Sequence, residues 1–244
     1  MTDHELAEWV ATEAGRLLLS VRAELADAPA AERKDQGDRR SHEFLMAELA
    51  KARPSDAVLS EEGVDDTVRL SSSRVWIVDP LDGTREFSEA GRDDWAVHVA
   101  LWSDGDLIAG AVALPAQGVT LSTPTVATPA APPATPRILV SRTRPPAEAH
   151  RVRDQLGGTL VEMGSAGAKV AAVIQGRAEI YVHSGGQYEW DSAAPVAVAR
   201  AAGLHTSRVD GTPLRYNQPD PLLPDLVVCR PEHAQAVLAA LAAV

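Results

Sequence analysis

The chain has 244 residues, 45% hydrophobic and 23% charged, the balance of a folded globular protein rather than a disordered or fibrous one. A formal net charge of -11 argues against nonspecific binding to nucleic acid or to an anionic membrane, because both need a surplus of Lys and Arg on one face. Cys229 is the one cysteine, so no intrachain disulfide can form. The acidic stretch from Met1 to Trp9 lacks the basic start and apolar run of a secretory signal, and no segment is apolar for long enough to span a bilayer. A cytoplasmic protein is expected, and its oligomeric state, monomer or homodimer, is not readable from composition.

Leu6, Val10, Ala14, Leu17, Leu18 and Val21 recur at helical spacing and predict an amphipathic helix from Asp3 to near Ala26. The polar segment Ala28 to Gly37 reads as a loop, and Asp38 as the start of a second helix that buries Phe44, Leu45 and Leu49. Short strands are expected at Ala57 to Ser60 and Val75 to Val78, each ending at carboxylates. Alternating Trp95, Val97, Val99 and Leu101, a turn at Ser103 to Asp106 and a return strand Leu107 to Leu114 predict a hairpin, with Val119 to Ser122 after it. The Pro, Ala and Thr-rich stretch Thr123 to Pro136 has few large side chains and reads as the internal boundary, separating a unit 1–136 from a unit 137–244. In the second unit, strands are expected at Arg137 to Val140, Thr159 to Met163, Glu179 to His183 and Leu226 to Cys229. Helices alternate with them at Pro146 to Leu156, from Gly164–Gly167 to Gly176, from Asp191 to Gly203, and from Glu232 to Val244.

The informative segment is Asp79-Pro80-Leu81-Asp82-Gly83-Thr84, which follows an apolar strand. Pro80 cannot continue a sheet ladder, so a sharp turn is expected where Asp79 leaves the strand, with both aspartates facing one point. Carboxylate oxygens are hard ligands suited to Mg2+, and the Leu81 carbonyl in the same turn can add another. Gly83 and Thr84 would open a helix whose free amides attract phosphate. Asp-Pro or Asp-Gly alone would be an ordinary turn, and Glu61 alone a solvated charge. Asp191 alone would be an N-cap, a role compatible with metal binding because capping uses one oxygen. His98, His183 and His205 lie in strand or turn contexts without companion ligands and read as packing or surface residues.

Asp79 to Thr84, together with Trp190-Asp191-Ser192-Ala193-Ala194-Pro195, resembles the paired signatures of the inositol monophosphatase family of metal-dependent, lithium-sensitive phosphatases. Thr84-Arg85-Glu86-Phe87 is similar to its 3'(2'),5'-bisphosphate nucleotidase branch, the CysQ type, where inositol phosphatases more often carry Thr-Asn. The resemblance implies an α/β (α+β) layered sandwich of alternating helix and sheet layers, αβαβα, with the site between the two units. It implies a first Mg2+ on Glu61, Asp79 and the Leu81 carbonyl, a second on Asp79, Asp82 and Asp191, and room for a third. Water is then the nucleophile, with Thr84 orienting it and Asp38 as the acidic partner; the segment Lys34 to Asp38 is shorter than usual in the family, which leaves Asp35 as a rival. Implied substrate contacts are Gly83, Thr84, Ser165, Lys169, Glu189, Asp191 and Arg215, with Lys169 facing a second phosphate. The expected activity is hydrolysis of a small phosphorylated metabolite, 3'-phosphoadenosine 5'-phosphate above inositol 1-phosphate or fructose 1,6-bisphosphate. A catalytically silent nucleotide or metal sensor on the same fold is the alternative from another class. The aspartyl-nucleophile order Asp-x-Asp-x-Thr fails because position 81 is Leu.

Overall fold

The computed structural model describes residues 1–130 and 133–243. The boundary stretch expected at 123–136 and the last helix, expected to reach Val244, therefore fall partly outside the described residues. Two long helices, α1 (Asp3–Glu24) and α2 (Ala30–Ala52), come first. A five-stranded sheet follows in the order β1 (Ala57–Ser60), β2 (Arg74–Asp82), β3 (Ala96–Ser103), β4 (Asp106–Leu114), β5 (Val119–Ser122), with a short α3 (Thr84–Ser88) after β2. The remaining elements are β6 (Arg137–Ser141), α4 (Ala147–Leu156), β7 (Thr159–Met163), α5 (Ala166–Ile174), β8 (Ile180–Ser184), α6 (Glu189–Ala201), β9 (His205–Ser207), β10 (Asp225–Cys229) and α7 (Pro231–Ala242). Their strands form a second sheet in the order β7-β6-β8-β10-β9. The short β9 and a 3-10 turn at Thr67–Ser71 carry no apolar periodicity and were not expected from the sequence.

The alternation of each strand builds three apolar layers, because successive side chains point to opposite faces. On one face of the first sheet, Val97, Val99 and Leu101 meet Leu6, Val10, Ala14 and Leu18 of α1 and Leu45 and Leu49 of α2. On its other face, Ile77, Ala96, Ala100 and Val112 pack with Val170 and Val173 of α5, Ala193, Ala194 and Val198 of α6, and Tyr181 and Val228 of the second sheet. Beyond that sheet, Ile138, Val140, Val182 and Val227 meet Val152 of α4 and Val237 and Leu241 of α7. The result is the expected five-layer αβαβα sandwich, with α5 and α6 in the middle. Among the described residues no helix is long and apolar enough to cross a membrane.

Two sequence expectations are corrected here. The second helix starts at Ala30, not at Asp38, so the supposed loop is two turns of helix and Gly37 lies inside it. Glycine there reflects close packing: a Cβ on Gly37 would come within 2.8 Å of both Leu81 Cδ2 and Phe87 Cε1. The chain also does not leave the sheet at Asp79. β2 runs through Pro80 to Asp82 with a bulge, since Asp79 pairs with His98 and Asp82 with Ala96, leaving one surplus residue on β2. Residues three apart on a regular strand face opposite sides, and the surplus residue brings the two aspartates to the same side.

Candidate metal centre

β1 and β2 are parallel neighbours, with Ser60 opposite Val78, so Glu61 and Asp79 follow side by side at adjacent strand ends. The bulge adds Asp82, and α6 brings Asp191 from the far end of the chain. Oxygen atoms of Asp79, Asp82 and Asp191 lie within 4.8 Å of one another. Asp79 and Asp82 are buried, and Glu61 stands at the exposed rim outside this compact trio. Asp191 is not the helix cap expected from the sequence. Tyr188 occupies that position, and Asp191, three residues on, accepts the Tyr188 amide at 2.7 Å through Oδ2. Oδ1 has no such claim on it.

The electrostatics describe a cluster short of positive charge. Burial, then repulsion from Glu61 and Asp82, holds Asp79 well above the usual carboxylate range. Burial and Asp82 push Asp191 up to about 6. Partial withdrawal from water and repulsion from Asp191 push Glu61 up to about 7. Asp82 behaves oppositely: burial would raise it, yet His98, the Ser165 hydroxyl and the Gly167 amide together bring it down to about 2. Converging oxygen ligands that resist ionisation without a counter-charge are the donor set of a hard divalent cation, so the residues present fit Mg2+.

α2 supports this arrangement from the first layer. Ser41 donates to the Pro80 carbonyl at 2.7 Å, pinning the bulge. One turn earlier, Asp38 Oδ1 lies 3.3 Å from the Thr84 hydroxyl, which also reaches the Leu81 carbonyl at 3.0 Å. Asp35 is exposed and bonded to Gln36, away from Thr84. Burial, then repulsion from Glu62, raises Asp38 to about 7. Gly83 takes a left-handed φ of 83° just before α3. That helix is a short one of five residues, opened at Gly83 and Thr84 as expected.

The expected substrate contacts are only partly brought together. Ser165 caps α5 by accepting the Ala168 amide at 2.9 Å and donates its hydroxyl to Asp82. Lys169 is buried, and its ammonium donates to the carbonyls of Ser165 at 2.6 Å, Gly164 at 3.2 Å and Met163 at 3.4 Å. All three of its protons are therefore committed to the loop before α5, and burial lowers its pKa to about 8. Glu189 is also buried and accepts the amides of Asn217 and Gln218 at 2.6 and 2.7 Å, which holds their loop in place. Arg215 lines a cavity of about 450 Å3 with Glu189, Arg208, Thr212 and Gln218, and none of Glu61, Asp79, Asp82 or Asp191 lines it. Arg85 pairs with Glu89 at the surface, while Glu86 is buried and held by Arg142 at 2.7 Å.

His98 is the residue that sequence reasoning passed over. It is fully buried, with Nε2 3.2 Å from Asp82 Oδ2 and Nδ1 3.1 Å from the Trp190 carbonyl oxygen. The signal was present in the alternation: if Val97, Val99 and Leu101 face the helical core, His98 faces the other side, where Asp79 and Asp82 lie.

With this geometry in view, comparison with known proteins gives one family. The model of the inositol monophosphatase family matches residues 5–128 and 134–243. The chain belongs to the inositol monophosphatase family. It is 56% identical over 239 residues to the 3'-phosphoadenosine 5'-phosphate phosphatase of Mycobacterium tuberculosis (strain CDC 1551 / Oshkosh), covering 94% of this chain and 90% of that one. It is 33% identical over 190 residues to the 3'(2'),5'-bisphosphate nucleotidase CysQ of Escherichia coli (strain K12), covering 72% and 76%. The crystal structure of CysQ from Bacteroides thetaiotaomicron superposes with a TM-score of 0.77 at 27% identity, over 93% of this chain and 97% of that one. As a member of this family, the chain carries on its own residues the acidic cluster that metal-dependent phosphate chemistry needs.

Proposed function

We propose that the protein is a Mg2+-dependent phosphomonoesterase that hydrolyses 3'-phosphoadenosine 5'-phosphate to AMP and inorganic phosphate. The observation that carries this reading is the meeting of Asp79, Asp82 and Asp191 within 4.8 Å beside a Thr84 hydroxyl that faces Asp38. The substrate follows from the 56% identity to a phosphatase of that nucleotide. Asp79, Asp82, Asp191, Glu61 and the Leu81 carbonyl are the groups that would hold two or three Mg2+ ions. When bound, Mg2+ supplies a Lewis acid that offsets charge on the phosphate oxygens and eases the ionisation of water.

The chain's own residues supply position and proton handling. The Thr84 hydroxyl has one proton, given to Asp38 or to Leu81, so its oxygen remains free to accept from an attacking water. Asp38, with its pKa raised to about 7, is suited to receive a proton near neutral pH. Attack by water forms one P–O bond as Asp38 takes the water's proton, and breaks the P–O bond to the ribose 3'-oxygen, which is protonated from solvent as it leaves. Asp82, saturated on one oxygen by α5, is fixed before substrate arrives, which spares reorganisation during the reaction. We read residues 1–136 and 137–244 as two units with the site between them, and Cys229, buried in the third core layer, suits a reducing cytoplasm. In a cell, removal of this nucleotide would serve sulfate assimilation, with the sulfated precursor as a second substrate.

Phosphate release measured across 3'-phosphoadenosine 5'-phosphate, its sulfated precursor, inositol 1-phosphate and fructose 1,6-bisphosphate, with Mg2+ and with EDTA, tests the proposal. The highest kcat/KM is expected for the first substrate, with no turnover in EDTA. A sugar or inositol phosphate in first place would reject the substrate, and nucleotide binding without phosphate release would favour a sensor.

A further inference from the structure

We propose that His98 is a positioning residue of the metal centre, which holds Asp82 so that Oδ1 is the oxygen left for a cation and ties that carboxylate to the helix carrying Asp191. This rests on reading the three aspartates as metal ligands. Asp82 Oδ2 accepts the Gly167 amide at 2.6 Å and the Ser165 hydroxyl, and His98 Nε2 lies 3.2 Å from it. Oδ1 takes only the Ala166 amide, at 3.2 Å. One oxygen is thus enclosed by donors and the other is left largely open, which selects the ligand atom before any cation binds.

Three of these four neighbours belong to the segment Ser165–Gly167 at the start of α5 and donate hydrogen bonds to the carboxylate. His98 is the one that comes from the first sheet, directly opposite Asp79 in the ladder, so it fixes Asp82 relative to its own sheet as well as to α5. Its other nitrogen bonds the carbonyl of Trp190, the residue before Asp191. A single ring on β3 therefore links β2 to the first turn of α6, the two elements that carry the trio. The fit is tight: a Cβ on Gly167 would stand 2.0 Å from His98 Nε2, so glycine at that position is what lets the imidazole reach Asp82. A histidine present only to fill the core would have no need of an oxygen beside each nitrogen, Asp82 Oδ2 at 3.2 Å from Nε2 and the Trp190 carbonyl at 3.1 Å from Nδ1.

His98→Gln and, independently, Gly167→Ala test the role, the second by crowding the ring away from Asp82 while leaving the imidazole in the chain. Folding is checked by circular dichroism and melting. Mn2+ binding to the EDTA-treated protein is measured by EPR without substrate, and Mg2+ dependence, kcat and KM are measured with 3'-phosphoadenosine 5'-phosphate. A folded variant is expected to bind Mn2+ about 10 to 100-fold more weakly, with lower kcat and a KM within about twofold of wild type. Wild-type Mn2+ affinity and Mg2+ dependence in either folded variant would overturn the proposal. So would failure of both variants to fold, because His98 would then serve the fold. Wild-type protein that binds no Mn2+ would reject the metal reading and His98 with it, whereas wild type that binds Mn2+ but leaves the nucleotide intact would reject the substrate alone, since the EPR comparison needs no turnover.

Discussion

Asp82 is a structural joint and, in the function proposed above, a metal ligand as well. Its Oδ2 accepts the Ser165 hydroxyl and the Gly167 amide and its Oδ1 only the Ala166 amide, so Asp82→Asn should reduce kcat at least about 1,000-fold and also weaken the start of α5, by about 1–3 kcal/mol. Phosphate release and thermal melting read the two effects separately; near-normal turnover would remove Asp82 from the reaction. Thr84→Ala tests a different task. Because the hydroxyl touches Asp38 and Leu81 rather than enclosing a ligand, kcat should fall about 100-fold with KM little changed. A rise in KM alone would make Thr84 a binding group. At this scale the acids were legible because carboxylates after short strands, in that order, have few other uses. Lys169 and Glu189 were not legible in the same way. A charged residue reads identically whether it meets a ligand or closes a loop, and the bonds between Lys169 and the Ser165 carbonyl and between the Asn217 amide and Glu189 come from chain neighbours that no local pattern states.

The elements are where composition misled and where packing corrected it. Ala30 to Gly37 is polar and contains glycine, yet it is helical, held by Arg33, which donates to the carbonyls of Ser88 at 2.9 Å and Ala26 at 3.1 Å, and by Gly37, which packs closely on Leu81 and Phe87. Glycine in a helix interior normally costs about 0.5–1 kcal/mol relative to alanine. Here the sign should reverse: Gly37→Ala drives a methyl into Leu81 and Phe87, and a loss of about 1–3 kcal/mol is expected in denaturant melts, with reduced turnover as Leu81 shifts. A second joint lies across the molecule. Asn217, at a left-handed φ of 57°, accepts from the buried Arg69 at 2.8 Å, returns a bond to the Arg69 carbonyl at 3.1 Å and gives its amide to Glu189. Asn217→Ala should therefore cost about 2 kcal/mol, seen as a lower melting temperature, because alanine loses both side-chain bonds and tolerates that backbone poorly. An unchanged melt would show the loop to be held by Glu189 alone.

Taken whole, the molecule stores acids whose proton affinities oppose one another. Asp38, Glu61 and Glu189 are held up to about 7 and Asp191 up to about 6, all above their ordinary values. Between an unfolded carboxyl's ordinary range and those values the native state binds more protons than the unfolded chain, so stability falls as pH rises from about 4 to 7. Asp82, lowered to about 2, works the other way, and its contribution is lost only as pH drops below about 4. In EDTA the melting temperature should peak near pH 4 and decline toward pH 7.5. Mg2+ at about 100 times its Kd should add about 2.7 kcal/mol at neutral pH, a rise of roughly 5–10 °C, because it favours the ionised acids. A flat metal-free profile would mean that these carboxyls are not clustered in solution. The layered architecture itself was readable, since each strand's alternation and each helix's stripe survive into the three core layers. The meeting of Asp79 with Asp191 was expected from the family resemblance alone, because no local pattern states which strand ends will be neighbours.

The surplus residue in β2 sets a limit on how this gene can vary in length. Loss of any one residue between 79 and 82 would restore an unbroken ladder with β3 and rotate one of the two aspartates to the α1 side of the sheet. A deletion mutant there should remain foldable and soluble yet be unable to gather its acids. The hairpin tip at Asp104 and Gly105, by contrast, should accept gains and losses freely, since nothing in the centre is counted from it.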